Sequence, residues 1–427
     1  MDRFQVHGSV KAGFEPVKHL FEQQMNRLKE EQGQLCVYHK GEKVVDLWGS
    51  VNPDDGFDAD SLVTVFSSGK SLEAVVLGWL ASRGLIEYEA PIARYWPEFA
   101  ANGKGEITVA QLMRHESGLA NFDRSIKGED LFLENIKNNA IGKIIEQQPL
   151  AYRSEEKREY HAITRGWIVN ELVRRVDPQG RTIGELLQQE INQPLDADIA
   201  VGISDDDLQR IFSLQPLSPA YHFVQSLLPK SLGRRVLHNV FEFWARFKKL
   251  VLPVVKAQRQ FNPPPAIIGL PDLEYFNSEE YRRGETSSAN ASCSARGLAR
   301  VAAMMAAGGQ FEGKEYLSNG AWQALHADPV YALMGGAMPT RFTQGGVNQF
   351  CVDTANGQLI DRAFNEGREG FYGWMGFGGS IFQWHPELDI GFAFVPTSLH
   401  YLDLLNERGK LFQAEVIRCA SQLSAGT

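Results

Sequence analysis

Apolar positions Phe14, Val17, Leu20, Phe21 and Met25 recur at near-helical spacing and predict an amphipathic helix over residues 14–30. Two short runs follow, Leu35 to His39 and Lys43 to Trp48, joined by Lys40-Gly41-Glu42. Strand-like runs on either side of so short a glycine-containing link predict a hairpin. Leu62 to Phe66 is a third apolar run. Behind it Leu72, Val75, Val76, Trp79 and Leu80 fall at i, i+3, i+4, i+7 and i+8, a buried helix face that Gly84 is placed to stop. A further helical pattern runs through Trp167, Ile168, Leu172 and Val173, and residues 66–290 as a whole are helix-rich with long loops. The last third turns glycine-rich and β-like. Gly376 to Trp384 and Ile390 to Pro396 flank the turn His385 to Asp389, and residues 400–423 predict a final helix. Strands at both ends of the chain and helices between them predict a mixed sheet built from both ends with a helical region inserted.

Composition narrows the picture without redirecting it. The chain has 427 residues, of which 43% are hydrophobic and 22% charged, so it can build a sizeable core. Forty-three basic residues against 52 acidic ones leave a net charge of −9, which argues against a nucleic-acid binder. Four scattered cysteines form neither a disulfide framework nor a zinc-like spacing. The longest stretch without Lys, Arg, Asp or Glu, Ile211 to Pro229, carries three prolines and reads poorly as a membrane span. The N-terminus shows no secretory signal, so a cytoplasmic location is expected.

The candidate chemistry begins at Ser67-Ser68-Gly69-Lys70, between the apolar run and the buried helix. Residues three apart share a helix face, so the Lys70 amine can approach the Ser67 hydroxyl. A serine hydroxyl needs a base to attack a carbonyl; a desolvated lysine can be neutral enough to serve, and a helix N-terminus favours the developing anion. Gly69-Lys70-Ser71 also ends like a phosphate loop, but the loop's first glycine would fall at Thr64, which makes the nucleotide reading weak. No G-x-S-x-G elbow is present. Two other segments keep Ser67 company. Tyr160-His161-Ala162 opens a helical pattern, and Tyr372 to Ser380 places glycines where a strand edge must lie close to a ligand or to backbone.

Taken together, these segments resemble the serine β-lactamase and penicillin-binding superfamily, and within it the class C-like esterase branch, the family VIII carboxylesterases. The resemblance runs over nearly the whole chain. Ser67 to Lys70 looks like the SxxK motif, Gln111 to Leu119 like the LLxHxSGL stretch, and Tyr160-His161-Ala162 like the tyrosine motif; Ser288-Ala289-Asn290 resembles a further stretch, and Trp374-Met375-Gly376 falls where relatives carry Lys-Thr-Gly or His-x-Gly. The resemblance implies an α+β, β-lactamase/DD-peptidase-like fold, an antiparallel sheet flanked by helices plus a helical domain. The sheet domain would comprise 1–65 and 290–427, and the helical domain 66–289 with a basic insertion near 211–260. It further implies an acyl-enzyme on Ser67, Lys70 and Tyr160 as general bases, and an oxyanion hole from the backbone N–H groups of Ser67 and Phe377. His161, Ala162, Trp374 and Gly376 would line the substrate, and no metal or cofactor is called for. Ala162 stands where β-lactamases have an asparagine, and Trp374 where they have a drug-binding lysine. Both changes point towards uncharged esters of short to medium acyl chains as the small-molecule substrates. The alternatives are β-lactam or D-amino-acid amide hydrolysis at the same site, or a non-catalytic binding role.

His115 is expected to organise its loop. From Lys230 to Arg259 eight basic residues face one acid, Glu242, and Val236, Val240, Phe243, Trp244, Phe247 and Val251 recur at helical spacing. A basic amphipathic helix of this kind can lie on an anionic membrane surface or pack over the cleft as a lid; the lid is the expectation.

Overall fold

The computed structural model describes residues 3–425 except 153–156, 249–251, 253–262, 271, 336–337 and 353–358. Nine strands build one antiparallel sheet. Its N-terminal members are β1 (Gln5–Val10), β2 (Gln32–His39) and β3 (Glu42–Ser50). After the short strand β4 (Leu62–Thr64), which lies in a separate small sheet, come β5 (Val330–Met334), β6 (Met338–Phe342), β7 (Asn348–Gln349), β8 (Tyr372–Met375), β9 (Ile381–His385) and β10 (Ile390–Pro396). The order is β1-β3-β2-β10-β9-β8-β7-β6-β5, and β2 against β10, with Gly33 opposite Pro396, joins the two ends of the chain.

Both faces of this sheet are covered, which explains why its central strands read as near-continuous apolar runs. Successive residues of β2 serve different cores: Cys36 and Tyr38 point into one, Leu35 and Val37 into the other. Helix α6 (Ala295–Ala306) packs on β2, β9 and β10 from the first side; α1 (Glu15–Arg27) and α7 (Glu407–Ala425) pack together and belong to the second. Helix α2 (Lys70–Ser82) lies in the first core with α3 (Thr164–Val176) beside it. All five apolar positions of its periodic face are buried, and Gly84, at φ +66°, closes it in the left-handed conformation that a side chain would disfavour.

Two sequence expectations are corrected. The run Gly376 to Trp384 is not one strand: β8 ends at Met375 and β9 begins at Ile381, with a tight turn between them. Gly378 and Gly379, at φ +79° and +128°, make that turn possible, and the apolar pattern alone did not register it. The basic segment does not form a helix from Val236. Val236 is buried in a loop, and Asn239 caps a short helix, α5 (Val240–Arg246), against the preceding α4 (Pro219–Ser226). Val251 lies outside the described residues.

Candidate active site

Ser67 is delivered by a strained turn. Strand β4 runs into a 3₁₀ turn, Phe66–Gly69, continuous with α2, and Phe66 holds φ +48°. A non-glycine residue in that conformation costs about 1–2 kcal/mol. Its ring is wedged between Phe276 and Phe377, at centroid distances of 5.0 and 5.7 Å. The turn leaves Ser67 half-buried at the head of the helix, where the first N–H groups have no intrahelical acceptor.

Lys70, fully buried one turn on, makes three contacts. Its Nζ donates to the carbonyls of Ala162 at 2.6 Å and Ser288 at 3.0 Å, and lies 3.2 Å from Ser67 Oγ. Burial pushes its pKa well below the ordinary lysine value, more than Glu73 can offset. A neutral amine has two hydrogens and one lone pair. With both hydrogens taken by carbonyls, the lone pair is left to face Ser67.

Tyr160 lies beside Ser67 and accepts a 3.0 Å hydrogen bond from Trp374 Nε1, while Lys70 Nζ sits 4.8 Å from its ring centroid. Burial raises its pKa despite the Trp374 N–H and the nearby Ser67, which lower it. The amine is thus driven towards the neutral form and the phenol is kept protonated.

The third segment is braced against the first. Ser380 Oγ donates to the Val65 carbonyl at 2.6 Å and meets Ser68 Oγ at 3.0 Å. At Gly376 a Cβ would fall 2.2 Å from the Val65 oxygen, so this motif glycine is dictated by strand-to-turn contact. Asn406 Nδ2 donates to the carbonyls of Gly376 and Ser380, both at 2.9 Å, and Arg408 donates to Gly378 O. Among the described residues, no acceptor is recorded for the backbone N–H of Ser67 or of Phe377.

Above Ser67 lies an open cavity of about 300 Å³. Tyr160, Met334, Met338, Trp374, Phe377 and Leu404 are prominent in its wall, and among the described residues no Lys or Arg lines it. Trp374 and Gly376 both line this cavity. His161 does not. It is fully buried, with Nε2 2.7 Å from Ser117 Oγ and Nδ1 2.7 Å from the Glu159 carbonyl, and is absent from the cavity wall. Its short hydrogen-bonding reach is used up inside the loop. Ala162 also stays out of the wall, and its carbonyl serves Lys70 instead. His115 Nδ1 accepts the His161 N–H at 3.1 Å and its carbonyl accepts that of Glu159, which secures the strand of chain carrying Tyr160. None of the described residues 230–248 lines the cavity; residues 249–251 and 253–259 of the segment expected to form a lid lie outside the described residues.

Sequence reading missed the support beneath Lys70. Glu73 and Arg165 form a fully buried pair at 2.8 Å. Glu73 Oε1 also accepts from Ser287 and Ser288 Oγ, and Arg165 donates to the Lys70 and Met113 carbonyls. A carboxylate on the otherwise apolar face of α2, three residues after Lys70, was the available signal.

Fold and site together define a serine hydrolase. The comparisons with known proteins make that class specific. The chain belongs to the beta-lactamase family, whose family model matches residues 17–413. The esterase/beta-lactamase LipL of Mycobacterium tuberculosis is 30% identical over 387 residues, covering 86% of this chain and 77% of LipL. The crystal structure of a family VIII carboxylesterase superposes with a TM-score of 0.74 at 23% identity, covering 97% of this chain and 100% of that one. EstA from Arthrobacter nitroguajacolicus Rue61a gives 0.71 at 24% identity, over 97% and 98%.

Proposed function

We propose that the chain is a carboxylesterase that cleaves uncharged esters of short to medium acyl chains through an acyl-enzyme on Ser67. The wall of the cavity carries this reading: apolar side chains surround the serine, and an indole stands where a cation would hold a substrate carboxylate. LipL, named for both activities, and the carboxylesterase structure support it.

In the proposed cycle, Ser67 Oγ bonds to the ester carbonyl carbon as its proton passes to Lys70 Nζ. The backbone N–H groups of Ser67 and Phe377 receive the oxyanion, a stabilisation worth several kcal/mol for a preorganised pair. The tetrahedral intermediate collapses with cleavage of the bond to the leaving oxygen. Tyr160 gives that oxygen its phenolic proton and is reprotonated by the Lys70 ammonium. Water then attacks the acyl-enzyme by the reverse proton path, freeing the carboxylic acid and Ser67. Trp374 orients the phenol through its N–H bond, a role beyond that of an apolar wall.

Because the neutral Lys70 amine is the base, kcat/KM rises with pH through the lowered Lys70 pKa and then holds level. It falls only where Tyr160, raised above its ordinary value of 10.0, loses its proton. The decisive experiment labels wild type and Ser67→Ala with a fluorophosphonate probe and assays both on p-nitrophenyl butyrate and nitrocefin. Labelling and butyrate hydrolysis by wild type alone, with little turnover of nitrocefin, is the expected result. Equal labelling of the variant would remove Ser67 as nucleophile, and preferred turnover of nitrocefin would assign the site to β-lactams.

A further inference from the structure

Six large apolar side chains between residues 223 and 244 stay exposed: Phe223, Val224, Leu227, Leu232, Phe241 at 83% and Trp244 at 54%. Scattered exposed leucines need no explanation, but six in one short stretch mark an interaction surface. They belong to a single folded unit. Helix α4 packs on α5 through Phe223 and Phe243, with ring centroids 5.9 Å apart, and Gln225 Oε1 accepts the Arg235 N–H at 2.9 Å. The inner side of the unit is fastened to the body. The His222 ring lies 5.6 Å from that of His400, and Arg246 Nη2 reaches both carboxylate oxygens of Glu407 at 2.7 and 2.8 Å. What projects outward is therefore held there.

Charge indicates what the surface fits. Lys230 and Lys248 are exposed at its border, in a segment, 230–259, whose sequence has eight basic residues and one acid; of these, Lys249, Lys256 and Arg259 lie outside the described residues. The core of a protein–protein contact is depleted in lysine. Trp, Phe and Leu beside lysines is instead the composition of a surface that enters the headgroup layer of an anionic membrane. Among the described residues no helix is long and apolar enough to cross a membrane, so such contact is peripheral. The unit also adjoins the catalytic cavity. Phe243, His238 and Leu402 line a small cleft that shares Asp403 with the cavity over Ser67.

We propose that this face docks on an anionic lipid surface, with Leu232, Phe241 and Trp244 entering the boundary between headgroups and acyl chains and Lys230 and Lys248 meeting the phosphates. Resting on the esterase reading, the same docking brings the cavity to apolar esters held in the lipid layer.

The test is co-sedimentation of the full chain with phosphatidylcholine vesicles containing about one third phosphatidylglycerol, beside phosphatidylcholine alone. The expected result is pelleting with the anionic vesicles, weakened by salt and reduced roughly tenfold or more by Phe241→Ser with Trp244→Ser. Lys230→Glu with Lys248→Glu is the second variant, at exposed positions that leave the packing intact, and weakens binding in the same direction. Both variants should match wild type on soluble p-nitrophenyl butyrate and in Tm. Vesicle binding requires no turnover, so it fails or succeeds independently of the esterase reading. No pelleting of wild type at about millimolar lipid, or equal pelleting of wild type and both variants, would overturn the proposal. A dimer in light scattering that Phe241→Ser with Trp244→Ser dissolves, without vesicle binding, would give the face to a second copy of the chain and also overturn it.

Discussion

Two buried lysines, Lys70 and Lys104, stand in corners of the molecule that differ in one contact. Lys104 donates to the carbonyls of Ala101, Glu146 and Gln148 at 2.7, 3.0 and 2.7 Å. Three acceptors suit the three hydrogens of an ammonium, and burial pulls its pKa down only to about 8. Lys70 has two carbonyls and, in the third direction, the hydroxyl of Ser67. Its pKa is also pushed well below the ordinary lysine value, by burial and by neighbouring Arg165. Burial alone therefore does not make a lysine a base. On the proposed mechanism the number of carbonyls around it decides whether it holds three protons as a strut or keeps a lone pair for chemistry.

Removing each amine is the most direct way to break this contrast. Lys70→Met should lower kcat/KM by roughly 10²–10⁴, the range for losing a positioned general base, and abolish the rising limb of the pH profile. A variant that keeps that limb would assign the proton to another group. Lys104→Met should do the opposite. Three carbonyls lose their donor, so unfolding is expected to become easier by about 3 kcal/mol in a denaturant titration, while turnover by the folded fraction stays near wild type. Loss of activity without loss of stability would erase the distinction between strut and base. The smallest effect sharpens the catalytic corner. Trp374→Phe keeps the apolar wall and removes the N–H donated to Tyr160. It should cost about fivefold in kcat, the scale of one hydrogen bond, and move the alkaline limb upward because the phenolate loses a donor. An effect confined to KM would leave Trp374 as wall alone.

Much of this corner was legible in the sequence because it is local. Ser67 and Lys70 are one helical turn apart, the periodic face of α2 is unbroken, and the strands β2 and β10 alternate between two cores that both demand apolar residues. The misreadings share a different cause. Whether Gly376 to Trp384 is one strand or two depends on Val65 and Arg408, far away in sequence, which close on the turn. His161 looked available beside Tyr160, but its hydrogen bonds run to Ser117 and Glu159, in a loop secured by His115. The 230–259 pattern fitted a long helix, whereas a capping box at Asn239 and the pull of Glu407 on Arg246 start the helix later and turn Phe241 outward. Glu73 was visible as an anomaly on α2, but its partner Arg165 was not, because nothing local links the two residues.

The brace from Ser380 to Val65 joins positions 315 residues apart. At about 5–20 residues per second of synthesis, the turn that presents Ser67 leaves the ribosome some 15–60 s before the segment that steadies it. During that interval β2 also waits for β10, exposing a strand edge of the kind that invites misassociation. On the proposed mechanism a nascent chain of this design carries its nucleophile early and its activity last, so stalled or truncated translation products are expected to be inert and prone to aggregation rather than partially active.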